Sequence, residues 1–313
     1  MKKILLSLAI SFVMQVGAQS IDTTLNIDTL LFIHHKNGLK DSSLLSNIDS
    51  LTFKYDSIFN YDTIWTGYGN VLLPGNATCD THFISVSGCA GVTTITYNGY
   101  TYNLVEIGNQ CWFKENLRTT KYKDGTLINC PGNDNTAWQS SNYTGAYAWY
   151  NNDSATYAST YGALYNWYAV DNSAGLCPTG WHVPTDCEWM YLENTLGMSI
   201  ADQQSLATAG ISTGRGTTEG DKLKETGTSH WLYDPGSTDS TGFTGLPAGK
   251  RGANALYSFI NGYGYWWTSS DNGLSNINSN TMAYARDLYY MSNRIGRTYW
   301  NKWSGYSVRC IKD

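Results

Sequence analysis

The chain has 313 residues, of which 42% are hydrophobic and only 14% charged, and it contains 12 Trp and 24 Tyr. Lys and Arg number 20 against 25 Asp and Glu, so the net charge of −5 leaves no cationic surplus to neutralise nucleic-acid phosphates. So many large apolar rings can build a core, which argues against intrinsic disorder. We therefore expect a folded, acidic protein that does not bind nucleic acid.

The N-terminus has the three parts of a secretory signal peptide. Lys2 and Lys3 form the basic start, residues 4–16 the apolar stretch, and Val16-Gly17-Ala18 the small-residue cleavage site. That stretch is too short to span a hydrocarbon core of about 30 Å, and no later stretch is long enough. The sequence thus predicts a signal peptide over residues 1–18, cleaved near Ala18, and a secreted, cell-surface or periplasmic protein without a transmembrane segment.

Seven cysteines follow the signal, and in an exported chain they are expected to form disulfides. They are Cys79, Cys89, Cys111, Cys130, Cys177, Cys187 and Cys310. No two have the Cys-x-x-Cys spacing, and no Cys/His cluster offers tetrahedral zinc geometry. Because seven is an odd number, at least one thiol stays free or pairs between chains. The sequence alone leaves the connectivity open.

Residues 19–76 are predicted to form a separate N-terminal segment that contains a β-hairpin. Apolar residues at 31–33 and within 45–53 flank an Asn37-Gly38 turn, which is a strong hairpin signal. His34 and His35 lie side by side, but adjacent strand residues face opposite sides, so they do not predict a metal site.

Residues 77–313 are predicted to form one α+β domain. Asn98-Gly99 indicates a second hairpin, and Thr185 with Glu188 forms a capping box that opens a helix. Apolar spacing predicts another short helix over residues 161–170. Beyond these helices the chain is rich in Gly, Ser, Thr and Asn, with aromatic strands such as 265–268 and a last strand over 306–311. Few helices among many short strands and long polar loops indicate an α+β fold.

Four motifs in order resemble the Fibrobacter succinogenes major paralogous domain family. They are IGNQCWFKENL at 107–117, YGALYNWY at 161–168, LCPTGWHVPT at 176–185 and GYSVRC at 305–310. The resemblance implies a fold similar to the C-type lectin-like fold and its formylglycine-generating-enzyme-like branch. Two short helices would flank small antiparallel sheets, with the domain ends together.

The same resemblance implies a disulfide pairing. Cys177 and Cys310 would form one disulfide, and two of Cys79, Cys89 and Cys111 a second. Cys130 and Cys187 would be the remaining candidates. The Cys177–Cys310 bond would tie the region before the capped helix to the last strand.

No catalytic set is predicted. Formylglycine-generating enzymes use two reactive cysteines close in sequence, but Cys310 is the last cysteine and stands alone after Cys187. Residues 210–214 match Gly-x-Ser-x-Gly without the strand before and the helix after that a nucleophile elbow needs. His182 lies in an apolar run and is interpreted as a hydrogen-bonded structural residue. The lectin calcium tripeptides are also missing, so we expect no enzyme, no cofactor and no metal site.

Residues 263–303 interleave Tyr and Trp with Asn, Ser, Asp and Arg, the composition of a recognition surface. A loop-like run without clean strand alternation provides the predicted ligand-binding residues, which are Asn293, Arg294, Arg297, Tyr299, Trp300 and Asn301. We expect an exported, non-catalytic protein that binds a glycan or a protein ligand. The alternatives are a structural or adhesin subunit of a cell-surface assembly, and a distant enzyme of the formylglycine-generating type.

Overall fold

The computed structural model describes residues 88–139, 144–206, 214–234, 236–271 and 281–313, together with the backbone of strands at 30–34 and 40–44. The chain divides into two compact units, Met1–Thr78 and Cys79–Asp313. Across the described ranges, no helix combines the length and the apolar character that crossing a membrane requires.

The first unit contains an antiparallel hairpin of β1 (Leu30–His34) and β2 (Lys40–Leu44), in which Leu30 pairs with Leu44 and His34 with Lys40. A hairpin was predicted here, but its second strand is not the apolar run within 45–53. Pairing grows outward from a turn, so the polar residues next to the turn take the second strand. Asn37-Gly38 and residues 45–53 lie outside the described residues.

The second unit is an α+β fold built from short antiparallel strands and short helices. The strands are β3 (Thr94–Tyr97), β4 (Tyr100–Ile107), β5 (Gln110–Phe113), β6 (Tyr147–Ala148), β7 (Leu164–Tyr165), β8 (Trp181–His182), β9 (Ala248–Arg251), β10 (Tyr257–Ile260), β11 (Tyr263–Asp271), β12 (Met282–Tyr289), β13 (Gly296–Asn301) and β14 (Ile311–Lys312). The helices are α1 (Asn135–Gln139), α2 (Ser154–Tyr161), α3 (Trp167–Val170), α4 (Asp186–Thr195), α5 (Ile200–Gln204) and α6 (Glu219–Leu223).

The largest sheet has the strand order β3-β4-β5-β14-β8. Its first hairpin is the predicted one, with Asn98 at φ 48° and Gly99 at φ 82°, the positive values that a two-residue type I′ turn requires. The last strand is shorter than predicted, because Tyr306 and Ser307 make only isolated bridges, to Tyr165 and Trp266. The Lys312 Nζ donates to the Gly88 carbonyl at 3.1 Å, so the two ends of the described domain meet.

Two aromatic clusters form most of the core. In one, Trp112, Trp189 and Trp266 surround Phe243, with ring centroids 5.7–6.1 Å from it. In the other, Trp267 and Tyr306 pack at 4.5 Å. Each buried ring removes about 150–250 Å² from water, an upper bound of about 4–6 kcal/mol at 25 cal/mol per Å². Many of the Trp and Tyr residues therefore form the core and are not available at the surface.

The predicted capping box is present at the start of α4. The Thr185 hydroxyl accepts from the Glu188 backbone N–H at 3.2 Å, and the Glu188 carboxylate accepts from the Thr185 backbone N–H at 2.7 Å. Trp189 and Leu192 are buried on the helix, as their spacing predicted. Gly197 follows at φ 96°, where a side chain would be strained.

The helix predicted over 161–170 is wrong in its first half. The chain instead ends α2 at Tyr161, turns at Gly162 with φ 76°, and forms the two-residue strand β7. Asn166 then caps α3, because its Oδ1 accepts from the Ala169 N–H at 3.0 Å. The apolar residues of this stretch are buried on every side, which the spacing could not distinguish from one helical face.

Two disulfides join described cysteines. Cys89 pairs with Cys111 at an S–S distance of 2.02 Å, and Cys177 pairs with Cys310 at 2.01 Å. Cys187 is also disulfide-bonded, whereas Cys130 is free and exposed. Such bonds are typical of proteins that fold outside the reducing cytosol.

Candidate functional site

One face of the sheet β11-β12-β13 carries aromatic rings. Directly paired residues of antiparallel strands share a face, and Tyr265 pairs with Asp287 while Ala283 pairs with Trp300. The Tyr265 and Trp300 rings meet edge to face at 6.2 Å. We call this side, with Tyr263, Tyr265, Asp287 and Trp300, the aromatic face.

The opposite face, which we call the ion-pair face, packs on α4 through buried charges. Arg286 Nη1 lies 2.5 Å from Asp186 Oδ1, and Arg286 Nε lies 2.6 Å from Glu193 Oε1. Arg215 holds the same Glu193 carboxylate at 2.5 Å. Arg297 Nη2 lies 2.7 Å from Asp186 Oδ2. Burial alone would raise the pKa of Asp186, but the two guanidinium groups beside it outweigh burial and lower the pKa to about 2.

Arg297 therefore does not lie in an exposed loop. It is part of β13 and only 5% exposed, and its Nη1 also donates to the Gln204 carbonyl at 3.0 Å. The prediction of a loop-like run was wrong from Gly296 onward, because the first half of β13 is buried on both faces and so lacks an apolar-polar alternation. A buried guanidinium needs hydrogen-bond partners, and the carboxylate that pairs with Arg297 belongs to Asp186, 111 residues away in the chain.

The other predicted ligand-binding residues are spread over three places. Asn293 and Arg294 are exposed in the turn before β13, where the Asn293 carbonyl accepts from the Gly220 N–H at 2.9 Å. Tyr299 is 37% exposed on the ion-pair face, edge to face with Tyr284 at 6.3 Å. Trp300 lies on the aromatic face. The structure thus does not bring the predicted set together.

Trp300 and Asn301 line an open cleft between β13 and the hairpin β9-β10, with a volume of about 570 Å³. Lys250, Asn254, Tyr257 and Phe259 are among the side chains that line the rest of it. The lining combines rings with amides and one ammonium group and contains no carboxylate. Concave sites with apolar walls and a few polar groups are the usual binding places for small ligands.

An irregular backbone position in the hairpin β9-β10 places Phe259 at this cleft. Ser258 pairs with Lys250 and Ile260 pairs with Ala248, so the register continues unshifted and Phe259 lies across from Gly249. Phe259 is held at φ 66°, a strained value for a bulky side chain, yet its ring is 50% exposed. Gly249 opposite it has φ 65°, and a Cβ there would lie 2.6 Å from the Ser258 carbonyl. The backbone at Phe259 is thus strained although the ring is not buried in the core.

The Lys250 ammonium lies over three rings. Its Nζ is 4.6 Å from the ring centroid of Trp300, 5.2 Å from that of Phe259 and 5.5 Å from that of Tyr265. Burial lowers the pKa of Lys250, and the charge of Asp287 opposes that shift. Among the described residues, no carboxylate lies within ion-pair distance of Nζ. Cation–π contacts alone therefore hold the ammonium.

Asp287 lies behind these rings on the aromatic face. Burial raises the pKa of its carboxyl to about 6, against the opposing charges of Arg215, Arg286 and Lys250. Neither of its oxygens accepts a hydrogen bond from a described residue. Beside it, stacked tyrosines continue the aromatic face, with Tyr263 4.4 Å from Tyr289 and 5.3 Å from Tyr265.

Two amides complete the polar groups of the cleft. Asn254 Oδ1 accepts from the Leu256 N–H at 3.2 Å, and Asn301 Oδ1 accepts from the Trp303 N–H at 2.9 Å. These bonds orient each side chain by its oxygen and leave its Nδ2 hydrogens for another acceptor. With Lys250, the cleft therefore offers three nitrogen donors, beside the hydroxyls of Ser258 and Ser304.

His182, on the edge strand β8, bridges helix α4 and the C-terminal residue Asp313. Its Nε2 lies 2.8 Å from Glu188 Oε1, and its Nδ1 lies 2.6 Å from Asp313 Oδ1. Burial alone would lower the pKa of His182, but the two carboxylates outweigh it and raise the pKa to about 9. Because both ring nitrogens contact carboxylates, we interpret His182 as a structural residue.

Within the described ranges, no group of three His, Cys, Asp or Glu side chains could hold a metal ion. In comparison with known families, residues 105–312 match the Fibrobacter succinogenes major domain. The chain belongs to this family. The match covers β5 to β14 and thus the whole cleft of this Fibrobacter succinogenes major domain. No curated protein and no solved structure matches the chain.

The sequence analysis found Trp300 and Asn301 but missed the hairpin that completes their cleft. Lys250, Asn254 and Phe259 precede the aromatic run, and none belongs to a motif. The available signal was local. Gly249 and the Asn261-Gly262 pair mark irregular turns around residues 250–260, where strand interruptions often aim a side chain at a site.

Proposed function

We propose that this protein is a non-catalytic binding protein that recognises a glycan in the cleft between Trp300 and the hairpin β9-β10. The observation that carries this proposal is the ring of Phe259, half exposed and held in a strained backbone conformation beside Trp300. Strain of this kind persists where the surrounding structure enforces it, commonly at ligand sites.

Sugars suit this combination of groups. The faces of Trp300 and Phe259 carry the negative side of a ring quadrupole, which attracts the polarised C–H bonds of a pyranose face. Asn254 and Asn301 each present an unused amide nitrogen, which can donate to ring or hydroxyl oxygens. Apolar stacking would supply affinity, and the oriented amides would supply the choice of sugar.

The test is a binding screen of the purified full chain against soluble plant, host and bacterial polysaccharides, by affinity electrophoresis. Each polysaccharide is run with calcium and with EDTA. We expect retardation that is equal in both arms, because the cleft lining contains no carboxylate that could ligate calcium. Phe259→Ala should abolish the retardation, since it removes one of the two ring faces.

Tyr233→Ala is the matched control, because Tyr233 is an exposed aromatic residue (55%) that does not line the cleft. It should leave retardation unchanged. If no polysaccharide is retarded, or if Tyr233→Ala weakens binding as much as Phe259→Ala does, the cleft is not a glycan site.

A second candidate function, contact with another protein in a cell-surface assembly, is favoured by exposed apolar side chains. Leu232, Phe259 and Met291 are 64%, 50% and 60% exposed. Leu232 and Tyr290 converge beside Gly262, each within 3.8 Å of where its Cβ would lie. Such contiguous exposed apolar surface is typical of protein interfaces.

The protein-contact candidate predicts association that depends on this patch. Analytical ultracentrifugation of the full chain, with and without a cell-surface extract, would detect it. Leu232→Ser should reduce association while leaving glycan retardation unchanged. If Leu232→Ser left association unchanged, the patch would have no role in assembly.

A further inference from the structure

Lys250 is placed as an anion receptor. Its Nζ lies over three rings that line or adjoin the cleft, and it makes no ion pair or hydrogen bond with a described residue. An ammonium moved partly out of water without an anion in contact is under-satisfied, since cation–π contacts compensate only part of the lost hydration. A ligand anion placed on Nζ would complete its coordination.

The rest of the cleft does not oppose an anion. Its lining has one cation and no Asp or Glu, in a chain whose net charge is −5. The amide nitrogens of Asn254 and Asn301 add donors, because the backbone N–H bonds to their oxygens orient each side chain by its oxygen and leave its nitrogen unused. The nearest negative group, Asp287, is on the sheet behind the rings and does not line the cleft.

We propose that the cleft selects an acidic sugar, with the carboxylate of a uronic-acid residue on Lys250 Nζ and the pyranose face on Trp300 or Phe259. This proposal rests on the proposed function and names its ligand class. Each uronic-acid residue carries one negative charge on a ring that can stack, which matches the one ammonium group and the aromatic rings of the cleft. A densely charged polymer would need further cations that the lining does not provide.

The experiment measures the affinity of the purified full chain for an oligogalacturonate and an oligomannuronate by titration calorimetry. Their fully methyl-esterified forms keep the sugar rings and remove the charge. A neutral galactan and dextran sulfate complete the panel. We expect at least one free-acid oligomer to bind about 10- to 100-fold more tightly than its methyl ester, the range for a hydrogen bond to a charged group.

Lys250→Gln removes the charge and keeps most of the chain length. It should bring the free acid to the affinity of the ester and remove the salt dependence of binding. Lys250→Arg should restore part of the preference, which a purely structural role of Lys250 would not predict. Lys123→Gln is the control, as it removes one exposed positive charge outside the cleft. Melting temperatures of all variants establish that they fold.

The outcomes separate the two proposals. If ester, galactan and acid bind equally, and Phe259→Ala still abolishes binding, the cleft is a glycan site and the acidic preference is refuted. If dextran sulfate binds more tightly than either uronate and Lys123→Gln weakens it as Lys250→Gln does, the binding is general electrostatic attraction and the preference is again refuted. If nothing in this panel binds although a polysaccharide of the wider screen is retarded, the acidic preference fails and the glycan site stands; if nothing binds in either experiment, both proposals fail.

Discussion

Arg297 was predicted from the sequence to bind ligand, whereas the structure makes it a buried support of β13. Replacing it with Met keeps the apolar stem and removes the guanidinium. The substitution deletes the contact with Asp186 Oδ2 at 2.7 Å and the donation to the Gln204 carbonyl at 3.0 Å. The substitution distinguishes a structural role of Arg297 from a ligand-binding role, because replacing a residue that only binds ligand at the surface would change stability little.

The expected loss in the free energy of unfolding depends on which partners Asp186 keeps. Removing one partner of a buried ion pair costs about 3–5 kcal/mol, because the other charge is left unpaired. Here Asp186 keeps Arg286 at 2.5 Å, so we expect the lower end of that range, about 3 kcal/mol. For a domain of this size, that free energy corresponds to a melting temperature lower by about 6–12 °C.

Urea unfolding at pH 7, followed by tryptophan fluorescence with the disulfides intact, measures the free energy. Arg294→Met is the matched control, since Arg294 is exposed three residues earlier and its loss should cost less than about 0.5 kcal/mol. If Arg297→Met were as stable as Arg294→Met, the ion-pair network would not hold β13 and the description of this face would be wrong.

Three further predictions concern stability. The pKa of His182 is raised to about 9 against about 6.5 unfolded, so its contribution is complete below pH 6.5 and is lost as the pH rises through 9. Its ring is 37% exposed, so His182→Gln should lower stability by less than about 1 kcal/mol at pH 6 and have no effect at pH 9.5 in thermal scans. Replacing both Cys177 and Cys310 with Ala opens a loop of 133 residues and should cost about 3–5 kcal/mol by urea unfolding, and a loss below 1 kcal/mol would contradict this. Gly249→Ala forces a Cβ to within 2.6 Å of the Ser258 carbonyl and should cost about 1–3 kcal/mol and weaken glycan binding, and an unchanged affinity would mean that the close approach of Gly249 to Ser258 does not shape the cleft.

Local chemistry made some elements predictable. The Asn98-Gly99 turn and the Thr185 capping box are each specified by a few adjacent residues, and both are present where expected. The prediction of one helix over residues 161–170 failed because Gly162 and Asn166 interrupt the helix that the apolar spacing indicated. In a stretch that is buried on all sides, residues that end or begin a helix predict the secondary structure better than the apolar spacing does.

The candidate site was only partly predictable, for a physical reason. Trp300 belongs to a visible aromatic run, but the cleft depends on Lys250 and Phe259 packing beside it from another hairpin. Arg297 looked like a surface residue because its partner Asp186 opens a helix far away in the sequence. Long-range pairing decides which polar residues are buried, and composition does not contain it.

The most direct test of the central claim is a pair of calorimetric titrations with whichever glycan the screen retards. Trp300→Ala removes a ring that lines the cleft, and Tyr299→Ala removes its neighbour on the ion-pair face. We predict that Trp300→Ala weakens binding by about 30-fold or more, the loss of about 2 kcal/mol typical of a central aromatic contact, while Tyr299→Ala binds like the unmodified protein. Equal weakening by both, or by Tyr299→Ala alone, would contradict the assignment of the cleft as the binding site.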